Sequence, residues 1–139
     1  LKSLEEPEPT FDIRKSVGFI PKLTLNIESM KNNLDKKGKD PFEEAVITLQ
    51  KDIFINYKKY DNIENEFLKN DENLIYVVPT DTLRTIITKR IPNIDDHTFN
   101  RLKELSFSGI DTKTKARIIK DNTINYKNFL EKVVNYIVK

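Results

Sequence analysis

The chain has 139 residues, 37% hydrophobic and 33% charged, with a net charge of +2, which suits one soluble, solvated domain and excludes a disordered polyelectrolyte. The absence of cysteine excludes disulfides, thiol chemistry and cysteine-ligated zinc, and three glycines are too few for a phosphate-cradling loop or a turn-rich β protein. No apolar run reaches membrane-spanning length and no signal peptide is visible.

The charge is unevenly spread. Residues 41–83 hold four lysines against nine acids, a balance of −5, whereas residues 84–139 hold twelve Lys or Arg against six acids, a balance of +6. The basic end suits an anionic partner. The plainer alternative is that amphipathic helices need solvated faces and lysine supplies them.

Residues 1–10 (Leu1 to Thr10), with Glu5, Glu6, Glu8 and two prolines, read as a linker, and the start at Leu1 reads as the start of an excised piece of a larger protein. Leu23, Leu25 and Ile27 alternate with Lys22, Thr24 and Asn26, a strand signal; Phe11 to Pro21 reads as a second extended piece turned near Gly18. Ser29 to Lys39 suggests one polar helical turn around Met30 and Leu34, then a surface loop at Lys36–Lys39. The expected division is therefore a linker or extended segment over 1–40, either draped over the helical body or the end of a preceding domain, and a helical domain over 41–139.

Asp40–Pro41 opens the first long helix, with Asp as cap, Pro in the first position and Glu43 and Glu44 favourable to the dipole. Phe42, Ala45, Val46, Leu49 and Ile53 trace its buried stripe, with Ile55, Tyr57 and Tyr60 as further candidates. Asp61 restarts a shorter helix carrying Ile63, Phe67 and Leu68, which ends in the polar run Asn70–Asn73. Tyr76-Val77-Val78-Pro79 then reads as an extended run, because proline turns its predecessor away from helical geometry. Thr80 or Asp81 is placed to cap the helix that follows, whose Leu83, Ile86 and Ile87 share one face until Ile91-Pro92 stops it.

Asp95-Asp96 caps the next helix, with Phe99, Leu102 and Leu105 inward. Ser106 to Gly109 is a turn, Asp111 or Thr112 caps another helix with Ala116, Ile118 and Ile119 inward, and Asp121-Asn122 breaks it. The last helix carries Tyr126, Phe129, Leu130, Val133, Tyr136 and Ile137 on one side. The expected fold class is all-α, a compact bundle of about five short helices behind a mostly extended N-terminal segment.

An extended run into Pro79, a short helix with Thr82-Leu83 and Ile86, then Ile91-Pro92 and further helices with Phe99, Leu102 and Leu105, resembles the HRDC domain. This is the helicase-and-RNase-D C-terminal module of RecQ-type DNA helicases and some 3′→5′ exoribonucleases. Ser108-Gly109-Ile110-Asp111 followed by Lys113 and Lys115, and the last helix around Phe129, Val133 and Ile137, match its turn and final helix. The resemblance covers residues 41–139, with Asp61 to Asn73 standing as an insertion. It implies a non-catalytic accessory domain, without cofactor, of a RecQ-like ATP-dependent DNA helicase, inside the cell and nuclear if the cell is eukaryotic. The implied partners are single-stranded or branched DNA and the helicase core of the parent chain.

The residues themselves offer little catalysis. His97 is the single histidine and sits at a helix start beside Asp95 and Asp96, where a polar residue needs no chemistry to explain it. Glu43-Glu44, Asp71-Glu72 and Asp95-Asp96 fall at helix starts or in a loop, and capping explains them better than acid–base work. The expectation is no enzyme in this fragment and no metal site.

Nucleic-acid binding fits better. Lys89, Arg90, Arg101, Lys103, Lys113, Lys115, Arg117 and Lys120 cluster in the basic half and can neutralise phosphates without reading sequence. Tyr76, Phe107 and Tyr126 are candidates for base stacking or, as aromatics at helical spacing usually are, for the core. The competing readings are a protein-docking module without nucleic-acid binding, using the acidic half, and the HRDC domain of an exoribonuclease, using RNA.

Overall fold

The computed structural model describes residues 27–72 and 75–138. The strand readings before residue 27 lie outside them. The described part is predominantly helical, with seven helices and one two-stranded sheet. In chain order these are α1 (Ile27–Met30), α2 (Pro41–Asn56), α3 (Ile63–Lys69), β1 (Val77–Pro79), α4 (Thr80–Arg90), α5 (Asp96–Leu105), α6 (Thr112–Lys120), β2 (Thr123–Asn125) and α7 (Tyr126–Asn135).

Helix α2 forms where its caps dictate. The Asp40 carboxylate accepts from the Glu43 amide at 2.9 Å, and the Glu43 carboxylate accepts from the Lys39 amide at 2.8 Å, so free donors on both sides of the cap are satisfied. Gly38 is required by the same turn: a Cβ there would stand 2.5 Å from the Glu44 backbone nitrogen. All five expected stripe residues are buried, and so are Ile47 and Gln50. Ile55, by contrast, lies off that stripe and Tyr57 and Tyr60 lie beyond the last residue of α2, and all three stay exposed.

The remaining caps are equally local. Asn62, not Asp61, caps α3 by accepting from the Asn65 amide at 2.9 Å. Asp95 accepts from Thr98 at 2.7 Å and Asp111 from Thr114 at 3.0 Å, fixing the starts of α5 and α6. Helix α4 departs from expectation, since neither Thr80 nor Asp81 caps it. It begins directly after Pro79, and the Thr80 amide donates instead to the Asn122 carbonyl at 2.9 Å.

That bond belongs to the main departure from an all-α bundle. Strand β1 pairs antiparallel with β2, with Val78 opposite Ile124 and both buried. The short sheet ties the entry of α4 to the entry of α7. Below it Tyr126 stacks flat on Phe67 at 5.0 Å and donates its hydroxyl to the buried Asp71 carboxylate at 2.7 Å. Asp71 also accepts from the amides of Ile75 and Tyr76, at 3.1 and 2.8 Å, which holds Tyr76 at a positive φ of 64°.

Helices α2, α5 and α7 pack on one another, with α4 against α3 and α2. The core joins Phe42, Val46 and Leu49 of α2 to Leu83 and Ile87 of α4, Leu102 of α5 and Phe129 and Val133 of α7. Two apolar expectations fail at the edge. Helix α6 buries no residue, so Ala116 and Ile119 face solvent and Ile118 is half-buried; Ile137 lies past the end of α7 and is exposed.

Residues 27–36, where the sequence suggests a helical turn around Met30 and Leu34, pack on the body. Met30 is fully buried. The Asn33 side chain donates to the Tyr136 carbonyl at 2.6 Å and accepts from the Val138 amide at 3.0 Å, while Ser29 donates to the Val134 carbonyl at 2.9 Å. Gln50 of α2 joins this clasp, donating to the Val133 carbonyl at 2.8 Å. Carbonyls that α7 leaves open at its C-terminus thereby find donors.

Candidate nucleic-acid interface

The eight basic residues expected to bind phosphates do not form one surface, and their pairing divides them. Arg90, at the end of α4, is nearly buried: its side chain is 12% exposed. Its Nε donates to Asp52 at 2.8 Å, one terminal nitrogen to Glu66 at 2.6 Å and the other to the Ile86 carbonyl at 3.0 Å. Burial opposes its charge, but the two carboxylates outweigh this and raise its pKa. Lys89 donates to the second Glu66 oxygen at 2.9 Å. At Glu66 burial again raises the carboxyl, and the hydrogen bonds from Lys89 and Arg90 overcome it, leaving its pKa below the ordinary value.

Arg101 of α5 is likewise committed. It donates to the Asp40 carboxylate at 3.1 Å while its guanidinium lies over the Phe42 ring at 4.2 Å, so it braces the start of α2. The capping bond from Glu43 contributes most to lowering the Asp40 pKa, burial opposes it, and Arg101 adds to the lowering. Arg84, which sequence did not single out, does for α5 what Arg101 does for α2: it pairs with Asp96 at 3.2 Å and covers the Phe99 ring at 4.2 Å. These arginines are parts of the fold.

Lys103, Lys113, Lys115, Arg117 and Lys120 differ, for none of them makes an ion pair among the described residues. Four of the five are on α6. Lys113, Arg117 and Lys120 recur at i, i+4 and i+7 and so share one exposed stripe. Lys115 and Ile119 lie on the other flank of the same helix, facing α5 across an open groove of about 420 Å3. Lys103, Glu104 and Phe107 form the facing wall, and Asn122 and Thr123 close one end.

The aromatic candidates separate in the same way. Tyr126 is fully enclosed in the core, so it offers no face to a base. Tyr76 is half-buried, edge-on to Tyr126 at 5.8 Å, with Lys127 at 5.7 Å from its ring. Phe107 is half-buried on the turn after α5 and lines the groove, with the Lys115 ammonium 5.4 Å from its centroid. His97 is exposed on the first turn of α5, beside the capping Asp95.

Among the described residues no group of three or more His, Cys, Asp or Glu could hold a metal ion, and no helix is long and apolar enough to cross a membrane. Comparison with family models, curated proteins and solved structures finds no match for this chain.

Proposed function

We propose that this is a non-catalytic nucleic-acid-binding accessory domain, HRDC-like, serving a RecQ-type helicase and gripping single-stranded or branched DNA with α6 and the groove beside it. The observation that carries the reading is α6 itself. It buries no residue, yet it holds four of the five expected phosphate-binding cations that make no ion pair among the described residues. A helix that adds nothing to the core and presents Lys113, Arg117 and Lys120 in one stripe suits a phosphate chain, to which such contacts give affinity without sequence preference. Phe107 beside Lys115 and Lys103 adds the aromatic platform that single strands use.

The test is fluorescence anisotropy with labelled single-stranded, duplex and forked DNA at low and moderate salt. Salt-sensitive binding that favours single strands or forks, abolished by Lys113→Glu with Arg117→Glu while helicity is kept, is the expected result. No binding at low salt overturns the reading. It would favour the docking module instead, for which the exposed Ile55, Tyr57 and Tyr60 at the end of α2 are the supporting surface.

A further inference from the structure

The groove between α5 and α6 is more than a cationic channel, because its wall carries a carboxylate. Glu104 is an acceptor only; it lines the groove together with Lys103 and Lys115, and its side chain makes no hydrogen bond among the described residues. A groove meant for phosphates alone gains nothing from an anion in its wall. One turn earlier on the same helix face, the Asn100 amide offers both a donor and an acceptor. The rim is therefore suited to phosphate and the wall to the edge of a base.

Phe107 is held ready for the ring of that base. The side-chain amide of Asn128 donates to the carbonyls of Ser106 and Ser108, at 2.7 and 2.8 Å, clamping the turn on both sides of Phe107. Ser106 is itself buried and donates its hydroxyl to the Lys103 carbonyl at 2.6 Å. An aromatic fixed in this way loses little freedom on stacking. Lys115, now near the ring, has a flexible four-carbon stem and can pass from the ring face to a phosphate as the base arrives. The volume of about 420 Å3 lies in the range of small-ligand sites and accommodates one base, not a base pair flanked by its stack.

Resting on the nucleic-acid reading above, we propose that this groove seats one unstacked base bearing an exocyclic amine, stacked on Phe107, with Glu104 accepting from the amine. Cytosine, adenine and guanine satisfy it. Thymine and uracil carry a carbonyl oxygen in place of that amine, which sets acceptor against acceptor and leaves only the ring N3–H to donate, and they are disfavoured. In duplex DNA the base cannot leave its stack to reach Phe107 without cost, so the seat selects single strands.

The experiment compares labelled oligo(dC) and oligo(dT) of equal length by fluorescence anisotropy, at one low salt concentration in mildly alkaline buffer that keeps oligo(dC) unpaired. The wild-type protein is expected to bind oligo(dC) about tenfold more tightly, the discrimination of one charge-assisted base contact. Glu104→Ala is expected to erase that ratio while both oligomers still bind, and Phe107→Leu to weaken both. Equal affinity of the wild type for the two oligomers, or a ratio that survives Glu104→Ala, overturns the base seat and leaves phosphate binding standing. Failure of both oligomers to bind overturns the seat and the nucleic-acid reading together. Glu104 is exposed, so its variant carries the test even if Phe107→Leu does not fold.

Discussion

If the unpaired cations form the interface, the salt dependence of binding counts them. Five of the eight expected phosphate-binding residues, Lys103, Lys113, Lys115, Arg117 and Lys120, make no ion pair among the described residues. Each neutralised phosphate of a single strand contributes about −0.7 to the slope of log affinity against log salt, so full engagement gives about −3.5. Between about 50 and 200 mM salt that is a loss of about a hundredfold. Lys113→Ala with Arg117→Ala should bring the slope to about −2 and the loss to about twentyfold. The decisive control is Lys89→Ala with Arg101→Ala, which removes the same formal charge from residues held by Glu66 and Asp40. That variant should leave the slope within a few tenths of the wild-type value, measured by anisotropy titrations at several salt concentrations. A slope insensitive to the α6 pair, or equally sensitive to both pairs, would refute the division of the basic residues by pairing.

Leu83 is fully buried in the face that α4 turns to the core, so Leu83→Ala should cost about 2–5 kcal/mol in denaturant unfolding. The Asp71 carboxylate accepts from the Tyr126 hydroxyl inside the core, and Tyr126→Phe should cost about 1–3 kcal/mol while leaving the ring stacked on Phe67. The Glu66 carboxyl is held below its ordinary pKa, so the folded state prefers it charged. The stability it contributes is present above the unfolded carboxyl pKa and is lost as pH falls through the lower, folded one; acid titration followed by circular dichroism should show a shallower loss in Glu66→Gln.

What could be read from the sequence was what local chemistry decides. Asp40-Pro41, Asp95 and Asp111 announce their helices because a cap needs only three or four neighbouring residues. Val78-Pro79 announces the extended entry to α4 for the same reason. Strand β2 left no such mark. Thr123-Ile124-Asn125 is too short for an alternating pattern, and what makes it a strand is Val77–Pro79, far earlier in the chain. Ala116 and Ile119 obey helical spacing, yet α6 sits at the edge, where nothing arrives to cover them. Charge composition located the basic half but could not sort it. Whether an arginine is a strut or an open contact depends on carboxylates distant in sequence, such as Asp52 and Glu66 for Arg90 and Asp40 for Arg101. Phe107 looked like any aromatic near a helix end, because the Asn128 clamp that fixes its turn comes from α7.

The clasp that α1 and the segment after it make with the end of α7 also bears on the order of folding. Ser29 and Asn33 reach partners 103 to 105 positions along the chain. Closing a loop of that length costs about 4 kcal/mol of chain entropy if nothing else has formed, so these bonds must await the docking of α2 against α7. They should be absent from the transition state. Asn33→Ala is therefore expected to accelerate unfolding and leave the refolding rate nearly unchanged in stopped-flow measurements. The two distant ends of the domain would then set how long the native state lasts, while the helices between them set how fast it is reached.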